Sequence, residues 1–162
     1  MNIHETVWIA ETAHVSGDVT LGAQCTVWPS AVIRGDENSI TLGDRCNLQD
    51  GGIIHCGPDS PVTIGNDVSI AHGAIVHGCT IEDGAMIGMG AIVMDRARIG
   101  KGAFVAAGAL VTEGTEVPAG MLAMGHPVKT LRPMKEAEHA YAAYASADYV
   151  RLLKSKQQES SQ

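Results

Sequence analysis

The chain has 162 residues, a formal net charge of −7 and 45 % apolar residues, but only 4 % aromatics and 19 glycines. That length suits one domain with its own core, and the acidic balance, broken by no basic cluster, excludes a nucleic-acid partner because nothing would neutralise the phosphates. No apolar run could span a bilayer, the start MNIHETVWIA lacks the regions of a signal peptide, and Cys25, Cys46, Cys56 and Cys79 form no C-x-x-C pair; the expectation is a cytoplasmic protein with reduced thiols and no membrane partner.

From Ile9 the chain carries an aliphatic residue at every sixth position: Val15, Leu21, Val27, Ile33. The step breaks at RGDENSIT, resumes at Leu42, Leu48 and Ile54, breaks at CGPDSP, and resumes at Ile64, Ile70 and Val76. After one step of five it continues through Ile81, Ile87, Val93, Ile99, Val105 and Val111. Four residues beyond most of these stands a small side chain: Ala13, Cys25, Ala31, Cys46, Gly52, Ala74, Ala85, Ala91, Ala97, Ala103 and Ala109. A helix would repeat at three and four, and a lone strand would alternate. Sixes predict a prism of short parallel strands over residues 9–111, an all-β fold with one aliphatic per face pointing inward and a small residue at each corner.

Three faces make one coil, so the predicted coils are Leu21–Val27–Ile33, Leu42–Leu48–Ile54, Ile64–Ile70–Val76, Ile81–Ile87–Val93 and Ile99–Val105–Val111. Stacked strands lie about 4.8 Å apart, and the two ends stay open unless covered. Beyond Pro127 and Pro133, residues 134–157 are rich in Ala, Glu, Lys and Leu and predict an α-helix packed alongside the prism. Residues 1–126 are thus read as the β-helix domain and residues 127–162 as linker and C-terminal helix.

Of seven histidines, His4, His14, His126 and His139 are scattered and read as solvated or capping. His55 follows the inward Ile54 and His77 follows the inward Val76, so both point outward from the same face, one coil apart. Arg34, after Ile33, completes a column Arg34, His55, His77. His72 lies two residues after Ile70, on the neighbouring face, with Asp50 one coil below it and Gln49 adjacent. One prism does not readily join His72 to the other two, whereas three prisms around a threefold axis would. Three neutral imidazoles with one open position describe a catalytic zinc site, and imidazole also suits iron or cobalt. The competing reading is three surface histidines aligned by chance. Cys56 and Cys79 lie nearby as extra-ligand candidates, while Cys25 and Cys46 read as core.

Such a metal would lower the pKa of its water toward about 7. An amide such as Gln49 could orient the hydroxide, a combination that suits hydration of carbon dioxide. The product proton needs a carrier within reach; Glu37 is the nearest candidate, its alternative role being to solvate a loop. Arg34, Asp36 and Asp50 suit ion pairing, either across a subunit boundary or within the loop 34–41.

The strings RGDENSITLGDRCNLQDGGIIH and IGNDVSIAHGAIVHGCTIEDGAMIGMGAIVMD, with the ending GHPVKTLRPM, resemble the gamma-class carbonic anhydrases and their close bacterial relatives over nearly the whole chain. The resemblance implies a left-handed parallel β-helix with a C-terminal α-helix, assembled as a homotrimer with zinc, or iron in some preparations, between subunits. It assigns His55 and His77 as ligands from one subunit and His72 as the ligand from its neighbour. It places Gln49 at the metal-bound water, Arg34 and Asp50 in an intersubunit ion pair with Asp36 as companion, and Glu37 and Tyr144 in the active site. The implied activity is zinc-dependent reversible hydration of carbon dioxide to bicarbonate. Two departures stand out: only CGPDSPVT separates His55 from Ile64, where active relatives carry a longer acidic loop with a glutamate, and Asp148 replaces an asparagine. The alternatives are a trimeric metal-binding scaffold with little or no activity and, less well matched, a hexapeptide acyltransferase, which would need a histidine in a coenzyme-A cleft and usually a protruding loop.

Overall fold

The computed structural model describes residues 1–159, and its core is the expected stack of parallel strands. Register follows the sixfold spacing residue by residue. Leu21 pairs with Leu42, then Ile64, Ile81, Ile99 and Val117 on one face. Val27, Leu48, Ile70, Ile87 and Val105 align on the second, and Ile33, Ile54, Val76, Val93 and Val111 on the third. These side chains retain no more than 2 % of their surface, so each contributes about 1.5–3 kcal/mol of apolar burial. The corner residues from Cys25 to Ala109 are equally buried; a larger side chain there would collide with the coil's own backbone.

Two faces form one continuous sheet because Val32–Leu42 runs on around a corner instead of breaking at RGDENSIT. The interruption in the sixfold step is therefore an extended strand that pairs with Ile53–His55 on one face and Val62–Ile64 on the next. The remaining face, that of Val27 and Leu48, is an eight-stranded sheet from Trp8–Ile9 to Val128–Pro133. Its last strand corrects the reading of residues 127–133 as linker: Val128–Pro133 folds back antiparallel on Met121–Gly125 and covers that end of the stack. Both prolines sit at its boundaries, where a missing N–H costs no ladder bond.

The helix spans Glu136–Glu159, against the expected 134–157. Its first turn is pinned by Glu138, whose carboxylate accepts from the Lys135 backbone N–H at 2.8 Å and from Arg132 at 2.6 and 2.9 Å, a helix-start arrangement that satisfies an orphan donor. The helix lies along the eight-stranded face, from Phe104–Tyr141 stacking (6.3 Å) to the Trp28–Tyr149 edge contact (5.1 Å). Residues 160–162 of the predicted C-terminal segment lie outside the described residues. No helix is long and apolar enough to cross a membrane among the described residues.

The outward positions differ from face to face. Under the helix they are Trp8, Thr26, Asn47, Ser69, Met86 and Phe104. On the second open face they are Thr20, Thr41, Thr63, Thr80, Arg98 and Glu116, a polar surface suited to water. On the face carrying the histidines they are Val32, Ile53, Ile75, Ile92 and Leu110, an aliphatic stripe five coils long with no cover in the single chain.

Candidate metal centre

The stack places the predicted site residues in two groups on adjacent faces. The register Arg34–His55–His77 is that expected from the sequence. The column rule works because a parallel ladder in register sets equivalent side chains one above another. His55 and His77 lie with ring centroids 5.0 Å apart, and His55 Nδ1 stands 3.1 Å from His77 Nε2.

Each of these rings gives its other nitrogen to a carboxylate. His55 Nε2–H donates to Asp36 at 2.9 Å, and His77 Nδ1–H donates to Asp95 at 2.9 Å. With those nitrogens engaged, His55 Nδ1 and His77 Nε2 face each other across 3.1 Å, a spacing that a shared cation could bridge. On a tetrahedral ion with metal–nitrogen bonds of about 2.0–2.1 Å, two ligand nitrogens stand about 3.3 Å apart. The pair therefore fits two corners of such a site, and the carboxylate behind each ring is the usual device for fixing a ligating imidazole.

The supporting carboxylates differ. Asp36 also pairs with Arg34 and is about half exposed; its hydrogen bond from His55, then Arg34, holds its carboxyl below the usual range. For Asp95 burial acts upward, but the bond and charge of His77 and the Ser60 hydroxyl outweigh it and hold this carboxyl low as well. Glu37 is exposed on the same strand as Arg34 and Asp36.

The second group lies on the helix-covered face. His72 Nδ1 stands 3.0 Å from Asp50 Oδ2. Gln49 is buried at 4 % exposure, and its amide donates to Asn47 Oδ1 at 3.0 Å, while Asn47 donates to Ser69 Oγ at 2.9 Å. This ladder fixes the Gln49 amide beside His72. Both line a cavity of about 280 Å³ beneath the helix, together with Met86, Met89, Phe104, Tyr144 and Asp148. Tyr149 also faces it, its phenol pushed up to about 12 by burial and by Asp50 and Asp148.

Within one chain Arg34 thus pairs with Asp36, and Asp50 holds His72. Among the described residues no group of three or more His, Cys, Asp or Glu could hold a metal inside the single chain. His72 lies in the turn that follows Ser69–Ile70, off the strands Ile53–His55 and Ile75–His77 that carry the other two histidines. Cys56 and Cys79 are not supplementary ligands: both face the core at 0 and 2 % exposure, Cys56 bonded to the Asn38 carbonyl and Cys79 pushed up to about 12 by burial. Sequence reasoning missed Asp95 and Ser60. The available signal was Asp95 lying one coil above Gly78, at the same offset from its inward aliphatic.

The family model "Bacterial transferase hexapeptide (six repeats)" matches residues 78–113. The structure is similar to that of a hexapeptide transferase family protein from Anaplasma phagocytophilum, with a TM-score of 0.90, 39 % identity and coverage of 95 % of this chain and 91 % of that one. In sequence the chain is 47 % identical to Gamma carbonic anhydrase 3, mitochondrial, of Arabidopsis thaliana, over 93 % of this chain and 61 % of the longer plant protein. It is 49 % identical to a protein of Methanocaldococcus jannaschii named "Probable carbonic anhydrase", over 93 % of this chain and 94 % of that one. Identity at that level over nearly the whole chain leads to one conclusion: this chain belongs to the gamma carbonic anhydrase family.

Proposed function

We propose that the protein is a metal-dependent carbonate dehydratase. It interconverts carbon dioxide and bicarbonate in the cytoplasm as a homotrimer, each metal held by His55 and His77 of one subunit and His72 of the next. The observation that carries this reading is the pair of facing imidazole nitrogens at 3.1 Å, each ring backed by its own carboxylate. The uncovered stripe Val32, Ile53, Ile75, Ile92 and Leu110 supports the assembly, because it lies on the face that carries this pair and a second copy would bury it.

Zinc fits this all-imidazole donor set, with iron or cobalt as chemical equivalents. When bound, it supplies the Lewis acidity that makes water nucleophilic near neutral pH. The chain's own residues do the rest. Asp36, Asp50 and Asp95 fix the three imidazoles. Gln49, its amide spent in part on Asn47, keeps its carbonyl oxygen and second N–H to orient the attacking water. Met86, Met89 and Phe104 offer carbon dioxide an apolar wall beside it. Tyr144 lines the same cavity, and exposed Glu37 passes the released proton to solvent.

A metal-binding scaffold without turnover is the second reading. It is favoured by the turn after His55, closed by a Gly57–Ser60 bridge and carrying no glutamate. Stopped-flow carbon dioxide hydration on anaerobically purified protein, with metal analysed in the same sample, separates the two. Activity lost together with metal in His77→Ala supports the enzyme; a fully metallated protein without activity supports the scaffold.

A further inference from the structure

The residues around that short turn have a use the ligand set does not require. The turn closes by backbone bonds between Gly57 and Ser60 at 3.1 and 3.2 Å and is held from below by Asn38, whose amide donates to the Pro58 carbonyl at 2.7 Å. It delivers Ser60 to a buried position, 6 % exposed, against Asp95, the two side chains closing on the same space over Gly78. Asp95 in turn receives His77 Nδ1–H at 2.9 Å. The recess requires a glycine at position 78. A Cβ there would stand 2.5 Å from Asp95 Oδ1 and 2.6 Å from Ser60 Cβ, and Gly78 has φ +52°, which a side chain rarely adopts.

We infer that Asp95, clamped by Ser60 and seated in the recess left by Gly78, is the positioning residue for His77, fixing its tautomer so that Nε2 faces the metal. The inference rests on the metal-site reading above. Of the carboxylates behind the imidazoles, Asp36 is shared with Arg34 and Asp50 is half exposed, whereas Asp95 is the least exposed and has a hydroxyl of its own. The turn that in this chain replaces a longer loop is therefore a brace for a ligand, reaching it through Ser60 and Asp95.

The test uses the purified full chain. Zinc affinity is measured by competition with a chromophoric chelator, and the His77 tautomer by ¹⁵N chemical shifts of the zinc-loaded protein. Asp95→Leu removes the acceptor and is expected to weaken zinc on the order of 10- to 100-fold, the usual cost of losing such a support, and to erase the Nδ1–H signature. Asp95→Asn retains an oxygen acceptor and is expected to keep the tautomer and most of the affinity. Gly78→Ala, whose Cβ would push into Asp95 and Ser60, should reproduce the Leu variant with neither Asp95 nor His77 substituted. Should Asp95→Leu bind zinc like the unsubstituted chain while His77→Ala binds none, the positioning role is wrong and the metal site stands. Should His77→Ala keep one zinc per chain, the metal-site reading falls and this inference with it.

Discussion

Ile92→Asp tests the assembly that completes the proposed site. Ile92 is the fourth of the five residues of the uncovered stripe, paired with Ile75 below and Leu110 above. Full burial of an aliphatic side chain is worth about 1.5–3 kcal/mol. Ile53 retains 38 % of its surface, and the other members of the stripe are partly exposed. Covering what remains of five such side chains, at roughly a third of that value each, yields on the order of 3–5 kcal/mol per contact. A carboxylate taken out of water without a partner costs several kcal/mol, enough to reverse the balance. The single chain should be unaffected, since position 92 faces outward and the inward Val93 is unchanged. Light scattering behind size exclusion is expected to report a trimer for the unsubstituted chain and a monomer for Ile92→Asp at micromolar concentration. Zinc should be lost in the variant, because His72 is no longer supplied to His55 and His77. Thr80→Asp, on the polar face between Thr63 and Arg98, is the matched control and should leave both mass and zinc intact. An Ile92→Asp protein that stays trimeric with its zinc, or an unsubstituted chain that is monomeric, would refute the reasoning.

Two predictions concern the single chain. Glu138 is held at about 2 by its bonds from Arg132 and the Lys135 N–H, against an ordinary 4.5. Its contribution is therefore complete above about 4.5 and is lost as pH falls toward 2; Glu138→Gln should flatten the acid limb of the stability curve over that window in denaturant titrations, and an unchanged limb would show that the helix start is held otherwise. All four cysteines are buried at 0–2 % exposure, so a thiol reagent should label none in the native protein and all four in denaturant, whereas fast native labelling of Cys56 or Cys79 would contradict their inward orientation.

The sequence alone determined the coil. An aliphatic at every sixth residue admits neither a helix nor an ordinary strand, and the stack of Ile33, Ile54, Val76, Val93 and Val111 follows from counting, because each inward position is filled by local geometry that repeats. The His55–His77 column was legible for the same reason. Interruptions were not: RGDENSIT became part of a continuous strand and Val128–Pro133 a covering strand, since strand pairing there is decided by the neighbouring coil and by an open edge rather than by periodicity. Nor does spacing tell which nitrogen of an imidazole is engaged. That Asp36, Asp50 and Asp95 each hold one ring, and that a buried Ser60 reaches Asp95 past the missing side chain of Gly78, depends on side chains from different coils meeting in space. Contacts within one repeat are written in its six residues; contacts between a repeat and an insertion exist only once the stack has formed.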